Sequence, residues 1–301
     1  MDDFSVSQSF YVSQSRFSDP GTQAEWLDAT PNDLAALREA ASQLVFHYWG
    51  SGDITEHGFP AERHDEITLR YASDMFARLR ELDPAPPGGG LRAPLHRIVG
   101  CCRDFTLLFV SMARHHGIPA RARAGFASYL MPGWYIDHVV AEVHDGSGWH
   151  LVEAQMPPGY RDPVDGTELN LLDVPRDRFL TAPDAWTAAR AGDVDPARLV
   201  ASPDLDVPFL RGLPYGRYSL LLDLASLNKH EMLQWDVWGS IDTAASLAPA
   251  ALARADELAE LMADADVEQL RVAFEADDVR VPPVIRSVTP PGLLPVEVVL
   301  R

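Results

Sequence analysis

Lysine is almost missing from this 301-residue chain: Lys229 is the single example, and the remaining Lys/Arg-type cations are all arginine. Carboxylates outnumber these bases 44 to 25, a formal charge of −19. So negative a chain, with no clustering of its arginines, repels phosphates, which excludes nucleic acid and anionic membranes as partners. Arginine in place of lysine, with abundant Ala, Asp and Pro, fits a gene of high G+C content and a bacterial source. Cysteine is nearly as scarce. Cys101 and Cys102 are adjacent, and the ring that a disulfide between neighbours would close is small and strained. A disulfide scaffold and a four-cysteine zinc site are therefore excluded. No HExxH or comparable histidine spacing replaces them, so no metal or other cofactor is expected. Long apolar runs are absent as well: no stretch of 18 apolar residues could cross a membrane, and the amino terminus MDDFSVSQSF is acidic and polar where a secretory signal is basic and then apolar. The expected location is the cytoplasm.

What is present is enough to fold. Apolar residues make up 47% of the chain, ample for one large domain or two modest ones. Phe4, Val6, Gln8, Phe10, Val12 and Gln14 alternate with polar neighbours, which predicts an edge strand or extended arm. Thr30, Pro31 and Asp33 make a helix start, and Leu34, Leu37, Ala41, Leu44 and Val45 carry that helix toward Gly50. Residues 51–64 lack periodicity. A second amphipathic helix is predicted from Glu66 to Leu82, ended by DPAPPGGG at 83–90.

The next helix is predicted from Cys102 or Arg103, buried through Phe105, Leu108, Phe109 and Met112, and closed by Gly117 and Pro119. Strands follow at 120–129, 138–144 and 149–154, the last two joined by the turn DGSG. A helix followed by an antiparallel meander makes the fold class α+β. Beyond Gln155 a proline-rich loop leads to helices predicted at 183–191, 195–200, 217–231, 249–262 and 267–275. The last stretch, VPPVIRSVTPPGLLPVEVVLR, holds too much proline for a helix and reads as an extended tail. The expected organisation is an N-terminal arm and helix (1–65), a catalytic core (66–180) and a mainly helical extension (181–301) packed with the core as one unit.

The central helix and strands carry the chemistry. A thiol attacks a carbonyl carbon as its thiolate, and an ordinary cysteine is mostly protonated at neutral pH. A helix amino terminus and a nearby imidazole both favour the thiolate. Cys102 stands where the helix begins, His138 opens a strand, and Glu153 lies in the strand expected beside it, where a carboxylate can orient the imidazole. The backbone N–H of Cys102 is a natural oxyanion donor. A second donor, or a substrate-binding group, is left open among Gln155, Asn228 and Trp235.

These residues resemble the transglutaminase-like cysteine enzymes. The resemblance rests on G-x-C-R-D-F at Gly100 to Phe105, GIPAR at Gly117 to Arg121 with Gly125-Phe126, His138 opening HVVAEV, and Trp149 to Glu153. It covers roughly residues 66–160 and implies a core in which a nucleophile helix packs on an antiparallel sheet. By this likeness Cys102 is the nucleophile, His138 the base and Glu153 the orienting acid. The family's third residue is normally aspartate, so Glu153 brings an extra methylene, with Asp137 as the alternative.

The implied activity is acyl transfer from an amide or thioester, to water or an amine, through a thioacyl enzyme. The partner is a peptide, a protein side chain or a small acyl substrate. The alternative is an inactive fold serving as a binding or scaffold protein. Other polar residues have local explanations. Cys101 is expected to pack, His115 and His116 to cap a helix end, and His144 and His150 to face solvent. Asp104 is expected to turn away from the thiol. Residues 227–239, with Asn228, Lys229, His230, Glu231 and Trp235, are divided between a cleft wall and a half-buried helix end.

Overall fold

The computed structural model describes residues 3–88, 90–243, 247–288, 290 and 295–301, with the side chains of 3–6, 242 and 243 left aside. In chain order the helices are α1 (Asp3–Val12), α2 (Ala24–Leu27), α3 (Leu34–Ser42), α4 (Ala72–Leu82), α5 (Cys102–His115), α6 (Ala182–Ala191), α7 (Gly212–Leu227), α8 (Pro249–Asp264) and α9 (Val267–Phe274). The strands are β1 (Val45–His47), β2 (Ile98–Gly100), β3 (Ala120–Ala127), β4 (Tyr135–His144), β5 (Trp149–Val152), β6 (Phe179–Thr181), β7 (Leu199–Val200), β8 (Asp236–Val237), β9 (Val284–Ser287) and β10 (Val296–Val299). The fold is α+β, as the order of elements predicts.

Helix α5 is the axis of the molecule. Its residues from Cys102 to Arg114 are all buried, the pattern of a helix enclosed by other elements. Gly117, in the left-handed region at φ 76°, turns the chain out of it. The strands that follow form the sheet β5-β4-β3-β6, antiparallel throughout, with β7 added parallel to β4. One hydrophobic cluster joins residues as distant as Phe17, Phe109, Tyr218 and Leu300, so both halves of the chain share a core. Among the described residues no helix is long and apolar enough to cross a membrane.

Several expectations are corrected. The alternating N-terminal stretch is the helix α1, not a strand. Spacing by two also puts residues four apart on one face, and docking decides between the readings: Tyr11 is fully buried and its hydroxyl donates to Leu227 O at 2.8 Å. Asp33 is the cap of α3, accepting from Ala36 N at 3.0 Å. That helix ends at Ser42, because Val45-Phe46-His47 are strand formers that pair in parallel with Ile98-Val99-Gly100. The helix predicted at 66–82 is divided into a 3-10 segment, Ala61–Thr68, and α4. The one predicted at 195–200 is the 3-10 turn Pro196–Arg198 followed by β7, and α7 lies earlier than predicted. The proline-rich tail supplies β9 and β10, which pair with each other and, through β9, with β8. Residues 289 and 291–294 of that tail, and 89 of the earlier loop, lie outside the described residues.

Candidate active site

Cys102 is the first residue of α5, with Cys101 as its N-cap. Asp104 turns back to the cap, its Oδ2 accepting from Cys101 N at 2.9 Å and its Oδ1 pairing with Arg103 at 3.0 Å. This closure leaves no room on Gly100, where a Cβ would meet Asp104 Oδ2 at 2.5 Å and Val45 at 2.9 Å. One turn into the helix, Thr106 Oγ1 donates to Val139 O at 2.8 Å. That bond fixes α5 against the strand residue next to His138.

His138 is buried in β4 opposite Gly125 of β3. Gly125 is required here too, since a Cβ would run into Leu180 O of β6. Phe179 and Tyr129 present their rings edge-on to the imidazole, with centroids 6.4 and 6.2 Å away. Nε2 of His138 lies 2.8 Å from Glu153 Oε2. Glu153, fully buried just past β5, also accepts from the Tyr129 hydroxyl through Oε2 and from Gln155 N through Oε1, the latter at 2.8 Å. Both carboxylate oxygens are thus occupied, and the longer side chain is held at three points. Asp137 does not take this place. Its Oδ2 accepts from Tyr215 Oη at 2.6 Å and Gln234 Nε2 at 2.5 Å.

With Glu153 on Nε2, His138 is left with Nδ1 for the sulfur, and Cys102 and His138 each favour the charged form of the other. A hydrogen bond from the Cys101 thiol, against the effect of burial and with help from His138 and His47, holds the Cys102 pKa well below that of an ordinary thiol. Cys101 moves the opposite way, raised by the same bond and by burial. Burial works against charge on His138, but the Glu153 carboxylate and the bonds to Cys102 and Glu153 push its pKa up to about 10. Burial likewise opposes the charge on Glu153, and the His138 cation overrides it, lowering that pKa. The shifts on the three buried groups all favour the thiolate–imidazolium–carboxylate state.

The C-terminal half closes one side of the site, a contribution invisible in the sequence pattern. Arg103, next to Cys102, donates to Glu231 O and to Arg70 O. Arg70 pairs with Asp236 at 2.8 Å, and Tyr218 donates to Gln234 O. Residues 231–236 are pinned in this way, and Gln234 Oε1 stands 3.1 Å from Cys102 Sγ. An ionised Cys102 is better matched by the amide turned over, with Nε2 donating to sulfur and Oε1 accepting from a protonated Asp137. Burial, then the charge of Cys102, pushes Asp137 up to about 7, within reach of that state.

The other residues singled out from the sequence are distributed more widely. Trp235 follows Gln234 and shares an apolar cluster with Cys101; its indole N–H is buried without an acceptor among the described residues. Gln155 gives its backbone N–H to Glu153, while its side-chain oxygen is buried without a donor among the described residues. Asn228 caps α7 and gives its amide hydrogens to Leu224 O and Leu270 O, at 2.9 and 3.3 Å. Lys229 bonds to Ser13, and Glu231 pairs with Arg114. His115 and His116 sit at the end of α5 and bond to Asp28 and Thr30. His150 is partly exposed beside Asp173, but His144, expected in solvent, is buried under Gln8 of α1 and against Trp149. The residues that sequence reasoning missed at the thiol are His47 and Gln234.

Comparison with known proteins agrees with the resemblance read from the motifs. Residues 61–154 match the family model of the transglutaminase-like superfamily. Among solved structures, one named a "putative cysteine protease" from Cytophaga hutchinsonii is similar at 17% identity and a TM-score of 0.35. The alignment covers 57% of this chain and 45% of that one, a likeness too slight to carry conclusions about activity. No curated protein matches the chain.

Proposed function

Starting from the transglutaminase-like core that this chain carries at residues 61–154, we propose that it is a cysteine enzyme transferring an acyl group from an amide or thioester through Cys102. The observation behind this reading is the buried His138–Glu153 pair beside Cys102 at the head of α5, where the helix is tied to Val139 and the thiol pKa is held low. The Cys102 sulfur attacks the acyl carbon, a C–S bond forms, and the carbonyl π pair moves to oxygen, facing the Cys102 backbone N–H at the head of α5. His138 gives the proton on Nδ1 to the leaving nitrogen or sulfur as its bond to carbon breaks, and a thioester remains on Cys102. Water or an amine then attacks that thioester while Nδ1 takes its proton, and the C–S bond breaks with its electron pair returning to the Cys102 sulfur, which releases the acyl product. Glu153 keeps the Nε2–H bond throughout. The acceptor depends on what enters the cleft, and a peptide or small acyl substrate is favoured by the extra wall that residues 231–236 supply.

Turnover needs both charges of the resting pair. It falls in acid as Cys102 gains its proton, and falls above about pH 10 as His138 loses the proton owed to the leaving group. The test is intact-protein mass spectrometry after incubation with a glutamine-containing peptide, an acyl amino-acid amide and an acyl thioester. The expected result is an added mass equal to one acyl group, mapped to Cys102, released by hydroxylamine and absent from Cys102→Ala. No adduct with any of the three, or an adduct that persists in Cys102→Ala, counts against the reading.

A further inference from the structure

A second imidazole stands beside the start of α5, from outside the stretch matched by the family model. His47 ends β1, directly opposite Gly100 in the parallel pair with β2, two residues ahead of Cys102. Its side chain is among the groups that lower the Cys102 pKa. Immediately after β1 the chain turns, and both Trp49 N–H and Gly50 N–H donate to His47 Nδ1, at 3.2 and 2.9 Å. A ring nitrogen that accepts from two N–H groups has its lone pair in use and carries no proton, so the ring's N–H is at Nε2. With Nδ1 committed to its own turn, Nε2 is the nitrogen that reaches the sulfur. Ser51 N–H donating to His47 O at 3.1 Å closes the turn, and Tyr48 stacks on the imidazole at 5.5 Å with 10° between the planes.

The two histidines are therefore built in opposite senses. His138 has a carboxylate behind it, which welcomes a second proton on the ring. His47 has two backbone N–H groups behind it, both donating to Nδ1. The first can accept and return a proton, while the second can only donate a hydrogen bond.

We propose that His47 is a second catalytic histidine without a base role, whose Nε2–H donates to the Cys102 thiolate at rest and to the carbonyl oxygen once the acyl carbon is bonded to Sγ. The inference rests on Cys102 being the nucleophile. No bond to His47 forms or breaks, and its proton stays on Nε2 through both halves of the reaction. A neutral donor suits this place: a second cation beside His138 would repel it, whereas an N–H dipole aimed at the sulfur stabilises negative charge without doing so. The other titratable groups that interact electrostatically with the thiol are Cys101 and Asp104 at the helix start, Tyr129 after β3, His138 and Asp137 on β4, Tyr215 on α7 and Tyr48 beside His47. Of these, Cys101 and His138 join His47 in lowering the Cys102 pKa.

The test uses the full chain with His47→Phe, which removes the donor, and His47→Gln, whose amide N–H reaches close to the position of Nε2. Iodoacetamide labelling of Cys102 is followed from about pH 5 to 9. Loss of one hydrogen bond to a charged group slows labelling of His47→Phe about tenfold near pH 6, with an unchanged rate at high pH. His47→Gln recovers most of that loss, and turnover of His47→Phe falls on the order of a hundredfold. Nitrogen-15 NMR of the wild-type imidazole, which needs no variant to fold, reports a proton on Nε2 and none on Nδ1. A wild-type pH profile in His47→Phe, or a His47 protonated on Nδ1, overturns the proposal. If instead wild-type Cys102 has no reactivity at pH 6, it is the nucleophile assignment that fails, and the tautomer of His47 stands or falls separately.

Discussion

Replacing Glu153 with glutamine is expected to lower kcat/KM by on the order of a thousandfold or more, the scale set by loss of an orienting carboxylate in a triad. All three groups on this carboxylate are donors: His138 Nε2, the Tyr129 hydroxyl and Gln155 N. A carboxylate accepts from all of them, but a primary amide has one oxygen and must turn its NH2 toward at least one donor. If the NH2 faces His138, Nε2 has to give up its proton and the ring carries it on Nδ1, the wrong tautomer for taking a proton. If it faces Gln155, a buried N–H loses its acceptor. Either way the charge that holds His138 up to about 10 is gone. Turnover and the reactivity of Cys102 near pH 6 should fall together in Glu153→Gln, while the far-ultraviolet circular dichroism stays as in the wild type. Retention of more than about a tenth of the activity would show that the carboxylate does not orient His138, since removing so central a group costs far more in other triads.

The largest stability effect is expected at Arg123, outside the Cys102, His138 and Glu153 set. This β3 residue is buried, and its guanidinium lies between Asp223 of α7 and Glu142 of β4, at 2.9 Å from each. Asp223 also accepts from Ala124 N at 2.8 Å, so one carboxylate joins the sheet to the C-terminal half. The neighbouring carboxylates raise the Arg123 pKa despite its burial, and it is charged at every relevant pH. In Arg123→Met, Asp223 keeps a backbone donor but loses its counter-charge in a fully buried position, whereas Glu142 retains Arg121 and Arg176. A cost of about 3–5 kcal/mol is expected in chemical denaturation. The double variant Arg123→Met/Asp223→Leu, which buries no unpaired charge, should be the more stable of the two. A single variant within about 1 kcal/mol of wild type, as for an exposed ion pair, would mean that solvent reaches this cluster.

Much of the site is legible in the sequence because its parts are local. The helix start at Cys102, the Gly117 exit and the DGSG turn each declare themselves within a few residues, and the strands they separate put His138 and Glu153 on adjacent strands. The same locality explains the failures. His47 reaches Cys102 through a parallel pairing of two three-residue strands some fifty positions apart, and no periodicity records such a pair. Gln234 arrives through Arg103, Arg70 and Tyr218, side chains whose partners lie more than a hundred residues away or belong to backbone carbonyls. The N-terminal helix was hidden by a short alternation compatible with two periods, and the burial of His144 follows from the docking of that helix. The extra methylene of Glu153 looked like a liability in isolation. Tyr129 and the Gln155 backbone, which hold the longer side chain in place, become visible as its partners in three dimensions.

The central claim is that Cys102, and not its neighbour, is the ionised nucleophile. It is tested most directly by the pH profile of limited iodoacetamide labelling, with the modified cysteine located by peptide mapping. The account predicts a single label on Cys102, fast at about pH 6 and nearly independent of pH up to about 9, because the Cys101 thiol, His138 and His47 hold the sulfur ionised while Cys101 stays protonated. A rate climbing about tenfold per pH unit across that range, as for an ordinary thiol, or a label on Cys101, would contradict it.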